Sequence, residues 1–476
     1  MEIQEVAIDI HVPSPENADE LQIFMKKKLD EVPGEPFKPR PVTIFRLPTW
    51  LHEINKDLCG PKVVSIGPYH HGKECLQAMQ KHKWSMLRDF LARDENSGFE
   101  MYLREMRLLE AQARECYSET VDMGSDDFVM MLLLDGCFIL ELLLKLQTEE
   151  WDLCSVDWVC GDIISDLCML ENQMPFFVIH KLFAIQGKCD QNCEGLCPLF
   201  ELISVKIWIA DTFKFSAPQI SCSEIHHLLH LYYKGVLPDR QFDREQSDLV
   251  TGKSYHWRLQ IFQWSKFFSK SSNPVVESAT SRDDESTSSE DIKRINIPCV
   301  TELHEAGVKF RRKIQPRDMF DISFQHGTME MPFLGIDDME KILLWNMVAF
   351  EQSQPYEFES ERILSSYLAL MDSLINTEKD AAILGRSGIF ENYLHNDEQA
   401  ANFFNQFSKI FLINYSDHYF YGLYKDIKRY SESACNKSRA QLKHDYFSNP
   451  WSSISVVAAS ILLILTFIQT YYSAAK

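Results

Sequence analysis

The sequence predicts a mainly α fold: a large helical globular domain with a few short strands, plus a C-terminal transmembrane helix. Three observations carry this reading. The 476 residues are 45% hydrophobic and 25% charged, the balance of a folded chain. Apolar residues recur at helical spacing through most of its length. From Tyr446 to Ala475 there is no charged residue at all.

The elements follow in chain order. Residues 1–40 are polar and carry Pro13, Pro15, Pro33, Pro36 and Pro39, so a flexible N-terminal leader is expected. Glu2, Glu5 and Asp9 replace the basic and apolar regions of a secretory signal. The first part of the helical body runs over 41–268. In it, Val42–Pro48 and Lys62–Ile66 read as short strands or extended segments. Leu76, Met79, Leu87, Phe90 and Leu91 mark a helix. Another covers Met101–Tyr117, where Glu110 and Arg114 stand four apart in the favourable order.

FVMMLLLDGCFILELLLKL, Phe128 to Leu146, is apolar enough to suggest a membrane span. Asp135, Glu141 and Lys145 argue against one, since a charge near mid-bilayer costs about 3 kcal/mol. A central buried helix fits better. Farther on, Ser269–Asp291 is Ser-rich, acidic and poor in apolar residues, which predicts a disordered insertion over 269–293. The second part of the body, 294–436, returns to helical patterns in DMEKILLWNMVAFEQ, ERILSSYLALMDSLINT and EQAANFFNQFSKIFL. No internal repeat is visible.

A basic juxtamembrane segment, 437–450, then carries Lys437, Arg439 and Lys443. The predicted transmembrane helix follows at 451–472, with Ile454, Val457, Ile461, Leu465 and Ile468 among its spanning side chains. Trp451, Tyr471 and Tyr472 stand at its ends as interfacial aromatics. The positive-inside rule puts the bulk of the chain in the cytosol, tail-anchored and single-pass, at the plasma membrane or an endomembrane. The lipid bilayer is thus an expected partner, alongside unknown protein partners.

Composition also restricts chemistry. Lys plus Arg is 48 against 69 Asp plus Glu, a net charge of −21, so nucleic acid is not an expected partner. Thirteen irregularly spaced cysteines suit free thiols in a reducing compartment. Cys189, Cys193 and Cys197 lack the short knuckle spacing of a zinc site and read as a solvated loop, with room for one local disulfide.

KVVSIGPYHHGKE, Lys62 to Glu74, mimics a phosphate-binding loop through Gly67, Gly72 and Lys73. Glu74 stands where a magnesium-binding hydroxyl belongs, and Pro68 removes an amide donor. Val129–Asp135 mimics the partner strand, yet its Leu and Met content prefers helix. No nucleotide, and no other cofactor, is expected. His70 and His71 are adjacent rather than i, i+4, which suits turn histidines bonded to backbone better than metal ligands. Glu171, Asn172 and Gln173 end a helical run just before Pro175 and read as a brace at a helix end, with a binding role for Glu171 as the alternative.

Several stretches together resemble the plant domain-of-unknown-function 247 family: VSIGPYHHG, EAQARECY, MMLLLDGCFILELL, DLCMLENQMPFF, TELHEAGVKF, NMVAFEQ, YLALMDSLINT, and NPW with a trailing LTFIQT. They cover nearly the whole chain from about residue 42. Cys59-Gly60-Pro61 departs from the aromatic usually met before the first block. The resemblance implies a plant protein attached to a membrane through its C-terminal helix, with no established enzymatic activity and no catalytic residues to map. Some grass members are associated with self-incompatibility, which suggests recognition or signalling. The leading expectation is therefore a non-enzymatic interaction or signalling protein. The alternatives are a hydrolase-like enzyme using Glu171 or the His70/His71 turn, and a passive membrane scaffold.

Overall fold

A computed structural model of the chain describes residues 18–31, 42–94, 97–148, 157–189, 198–206, 221–238, 297–354, 362–394, 396–409, 419–433 and 450–474. The predicted insertion at 269–293 lies outside them, as does all but Pro450 of the juxtamembrane segment. Within the leader, Ala18–Glu31 forms a helix, α1.

The architecture is mainly helical. The first half contains α2 (Thr49–Ile54), α3 (Ala78–Ala92), α4 (Phe99–Glu115), α5 (Ser125–Thr148), α6 (Asp157–Leu167), α7 (Phe176–Ile185), α8 (Pro198–Lys206) and α9 (Leu228–Val236). At its centre, α5 buries nearly every side chain from Phe128 to Leu143 and packs against α3, α4, α7 and α8. A helix apolar all round belongs in such a position. Each fully buried Leu or Phe there is worth roughly 1.5–3 kcal/mol of transfer free energy. The Glu110–Arg114 pair of α4 closes at 2.9 Å.

The second half holds α10 (Val300–Glu305), α11 (Asp338–Ser353), α12 (Ile363–Leu374), α13 (Glu378–Arg386), α14 (Asp397–Asn405), α15 (Tyr421–Ser431) and α16 (Pro450–Ala474). Its pillar is α11, buried from Ile342 to Glu351. Asp337 starts that helix by accepting from the N–H groups of Met339 at 2.6 Å and Glu340 at 3.0 Å, while Glu340 accepts from the Asp337 N–H. This reciprocal box satisfies donors that a helix start otherwise leaves orphaned.

Strands occur where the sequence reading did not place them. β1 (Lys309–Arg312), β2 (Ser323–Gln325) and β3 (Thr328–Met331) form one sheet in the order β1-β3-β2. β4 (Leu334–Ile336) and β5 (Phe390–Asn392) pair in parallel as a second. Residues 62–66 form no strand, and 42–48 contributes only an isolated bridge from Ile44 to Tyr117. Strands of three or four residues are too short to show a period of two. Their pairing is made by partners distant in sequence.

The main correction concerns the C-terminus. Residues 450–474 are helical, but no helix among the described residues is long and apolar enough to cross a membrane. Within α16, side chains are described over 458–471. Ser460, Thr466, Gln469 and Thr470 interrupt that stretch, and the hydroxyls of Thr466 and Thr470 turn back to the carbonyls of Leu462 and Thr466. The transmembrane assignment of Ile454, Val457, Ile461, Leu465 and Ile468 is not supported, and the single-pass, tail-anchored description falls with it.

Eight cysteines among the described residues form no disulfide, whereas Cys189 is disulfide-bonded.

His227 caps α9 and ties it to the 42–48 segment. Its Nδ1 accepts the His230 N–H at 3.1 Å, and its Nε2 donates to the Thr43 carbonyl at 3.1 Å. Both ring nitrogens are thus committed to the neutral form. Burial, reinforced by His226, pushes its pKa down to about 3 from 6.5. Above pH 6.5 both the folded and unfolded forms are neutral, and the folded state keeps its full stability. As pH falls from 6.5 towards 3 the unfolded chain takes the proton and stability is lost, about 2 kcal/mol by pH 5. His227→Asn keeps a capping acceptor without titrating. Thermal melts at pH 7 and pH 5 should show a smaller drop for this variant than for the native chain. Equal drops would contradict the assignment.

Candidate functional site

The segment from Lys62 to Lys73 is held by side chains from three directions. Asp166, at the end of α6, accepts from the N–H groups of Lys62 at 2.9 Å, Val63 at 2.7 Å and Val64 at 2.8 Å. Asn172 accepts the Ile66 N–H at 2.7 Å and donates to the carbonyls of Val64 and Asp166. Asp135 of α5 accepts the Gly67 N–H at 2.9 Å. Lys83 of α3, fully buried, donates to Asp135 and to the Ser65 carbonyl.

The loop that mimics a phosphate cradle therefore has its amides occupied by the protein's own carboxylates and carboxamide. A phosphate would have to displace them and would meet Asp135 and Asp166. Burial raises the Asp166 carboxyl to about 6, against the pull of its three N–H donors.

Glu171 and Gln173 extend the brace. Glu171 Oε1 accepts the Leu47 N–H at 2.7 Å and lies 2.8 Å from His52 Nε2. Its Oε2 is 3.2 Å from His70 Nε2, without hydrogen-bond alignment. Burial pushes the Glu171 carboxyl up, yet His70, His52 and the Leu47 N–H together hold it below its ordinary value. Burial lowers the His70 pKa, and Lys73 donates to its Nδ1 at 2.6 Å. Gln173 donates to the carbonyls of Leu167 and Met169 and accepts the Leu229 N–H at 3.1 Å.

Of the six residues singled out in sequence, Asp135 and Asn172 hold the Lys62–Lys73 segment, Glu171 lies against His70 of that segment, and Gln173 braces the chain just behind it. His71 stands apart, its Nδ1 buried without a hydrogen-bond partner among the described residues. Among those residues no group of His, Cys, Asp or Glu is arranged to hold a metal ion. Cys59 lies nearby, but burial pushes its thiol up to about 11, far from a reactive thiolate.

Sequence reasoning missed Asp166, Lys83, His52 and Asn346. Asn346 sits mid-helix in α11, donates to the Leu58 carbonyl at 2.8 Å and accepts the Leu170 N–H at 2.9 Å. It pins the second half of the chain to the first. An amide inside the apolar run ILLWNMVAF was a readable signal; Lys83, in the polar stretch QKHKW, offered none.

The brace shapes one wall of an open groove of about 550 Å³. That wall is Asn55, Asp57, Leu58 and Lys62; the others come from the first turn of α11 and from 399–406. Asn346 holds the Leu58 carbonyl and Asp166 the Lys62 amide, so the wall is fixed from behind. The volume falls in the range of ligand sites, but the lining is polar rather than mainly apolar. Carboxamides of Gln399 and Asn402 stand opposite exposed Lys62 and Asp57, and Lys341 is paired with Asp338 at 2.7 Å. None of the six sequence-predicted residues lines it.

Comparison with known proteins adds kinship. A family model described as "Plant protein of unknown function", DUF247, matches residues 44–465. The UPF0481 protein At3g47200 of Arabidopsis thaliana is 28% identical over 439 residues, covering 90% of this chain and 85% of the relative. The putative UPF0481 protein At3g02645, from the same plant, is 24% identical over 513 residues, covering 94% and 93% respectively. No solved structure matches the chain.

Proposed function

We propose a function from one premise: the chain belongs to DUF247, a family of plant proteins of unknown function. It acts by binding other proteins, as a recognition or signalling component, and carries out no reaction of its own. The observation that supports this reading is the division of labour among polar residues. Of those that looked chemically suggestive in sequence, Asp135 and Asn172 hold amides of the 62–73 loop, Glu171 holds the Leu47 amide and Gln173 ties the Leu167 and Met169 carbonyls. The open groove carries amides and charges of both signs, which suit hydrogen bonding to a polypeptide surface.

A hydrolase reading would need a nucleophile beside a base in a concave site. Glu171 and His70 are instead almost wholly buried and away from the groove.

The test is proximity labelling in plant cells with the full chain and with Lys62→Glu/Asn402→Glu, which reverses or adds charge at two exposed lining positions. The native chain should mark a reproducible set of protein neighbours, and the variant should mark them several-fold less. A neighbour set no different from that of the unfused labelling enzyme would overturn the proposal.

A further inference from the structure

Among the described residues, no strand pairs with the β1 edge of the three-stranded sheet. β1 and β3 are parallel, with Lys309 opposite Thr328 and Arg312 opposite Met331. The Lys309 N–H donates to the Gly327 carbonyl at 2.9 Å and the Lys313 N–H to the Met331 carbonyl at 2.8 Å. The ladder therefore uses odd-numbered residues of β1, and the N–H groups of Phe310 and Arg312 face away from β3. No strand among the described residues pairs with that side.

The edge is also the most basic stretch of an acidic chain. From Lys309 to Arg317 there are five cations and no acid, against a net charge of −21. Lys313 and Arg317 share Asp321, at 2.6 and 3.5 Å, and Arg312 lies over the Phe333 ring at 4.4 Å. Lys309 and Arg311 stay exposed on the same face; Arg311 approaches Glu330 only to 3.7 Å. Ile314, just past the strand, is 92% exposed.

We propose that the β1 edge is a strand-addition site for an extended segment of a partner protein with acidic residues at alternate positions. Main-chain groups of Phe310 and Arg312 would supply affinity, as in other sheet-edge complexes. Lys309 and Arg311 are two residues apart, roughly 6.6 Å along the strand, the same spacing as the acids of a Glu-x-Glu segment. A second copy of this chain is a poor occupant, because its own basic edge would be repelled. This surface is distinct from the groove, so the two proposals stand or fall separately.

The experiment measures binding of a fluorescent Val-Glu-Val-Glu-Val peptide, capped at both ends, to the full chain. Saturable binding is expected, weakened at least tenfold by Lys309→Glu/Arg311→Glu with an unchanged melting temperature. N-methylation of the peptide amides that face β1 should weaken it as much, and Lys62→Glu/Asn402→Glu should leave it intact. Absence of saturable binding would overturn the proposal. Equal affinity for the N-methylated peptide, or for Glu-Glu-Val-Val-Val, would do so too, by reducing the contact to charge attraction. Neighbours captured by proximity labelling without peptide binding would remove the edge site alone.

Discussion

Lys83→Met is expected to destabilise the fold by roughly 3–5 kcal/mol, the cost of breaking a buried ion pair from one side. Lys83 is wholly buried and Asp135 almost so. The ammonium donates to the Asp135 carboxylate and to the Ser65 carbonyl. Methionine fills much the same volume but offers neither contact, leaving Asp135 to the Gly67 N–H at 2.9 Å. The midpoint of urea unfolding should fall accordingly. Adding Asp135→Leu removes the stranded charge and should restore part of the loss. It cannot restore all of it, since the Gly67 amide would then be buried without an acceptor, at roughly 1–3 kcal/mol. A loss below about 1 kcal/mol in the single variant would contradict the buried pair.

Gly67→Ala should cost roughly 2–5 kcal/mol, combining overpacking with left-handed strain. Gly67 has φ +72°, and a Cβ there would lie 2.3 Å from the Gln173 carbonyl oxygen and 3.1 Å from the Tyr117 hydroxyl. The nearest obstacle is backbone, so no rotamer change can relieve it. Gly72 supplies the control: its φ is +76°, but a Cβ would meet nothing within 4 Å. Gly72→Ala should therefore cost only the conformational part, about 1–2 kcal/mol. Comparing the two unfolding midpoints separates steric contact from backbone strain. Equal losses would show that the loop does not press against the Gln173 carbonyl.

Both predictions concern the loop that the sequence offered as a nucleotide site. Its residues were visible beforehand, and so were the reasons for doubt at Pro68 and Glu74. What fills its amides was not visible. Asp166 lies about a hundred positions away, in a run where an acidic residue is unremarkable. Lys83 looks like its neighbour Lys81, and only the approach of α3 to α5 buries one of them. By contrast Asp135 was conspicuous, because a lone carboxylate inside an apolar helix must find a partner. The C-terminal run misled: its lack of charge suggested a membrane span, yet no helix among the described residues is long and apolar enough to cross a membrane.

The sequence by itself determined the helical class, the central burial of Phe128–Leu143 and the kinship with DUF247. These rest on local periodicity and on residue order, which survive without knowledge of any partner. Only the tertiary structure decided the strand pairings, the acceptors of the Lys62–Gly67 amides, the groove wall and the place of basic β1 at a sheet edge. Each of these depends on bringing together groups far apart along the chain. Short-range patterning carries no record of such encounters, because one hydrogen bond between distant residues leaves no period to read.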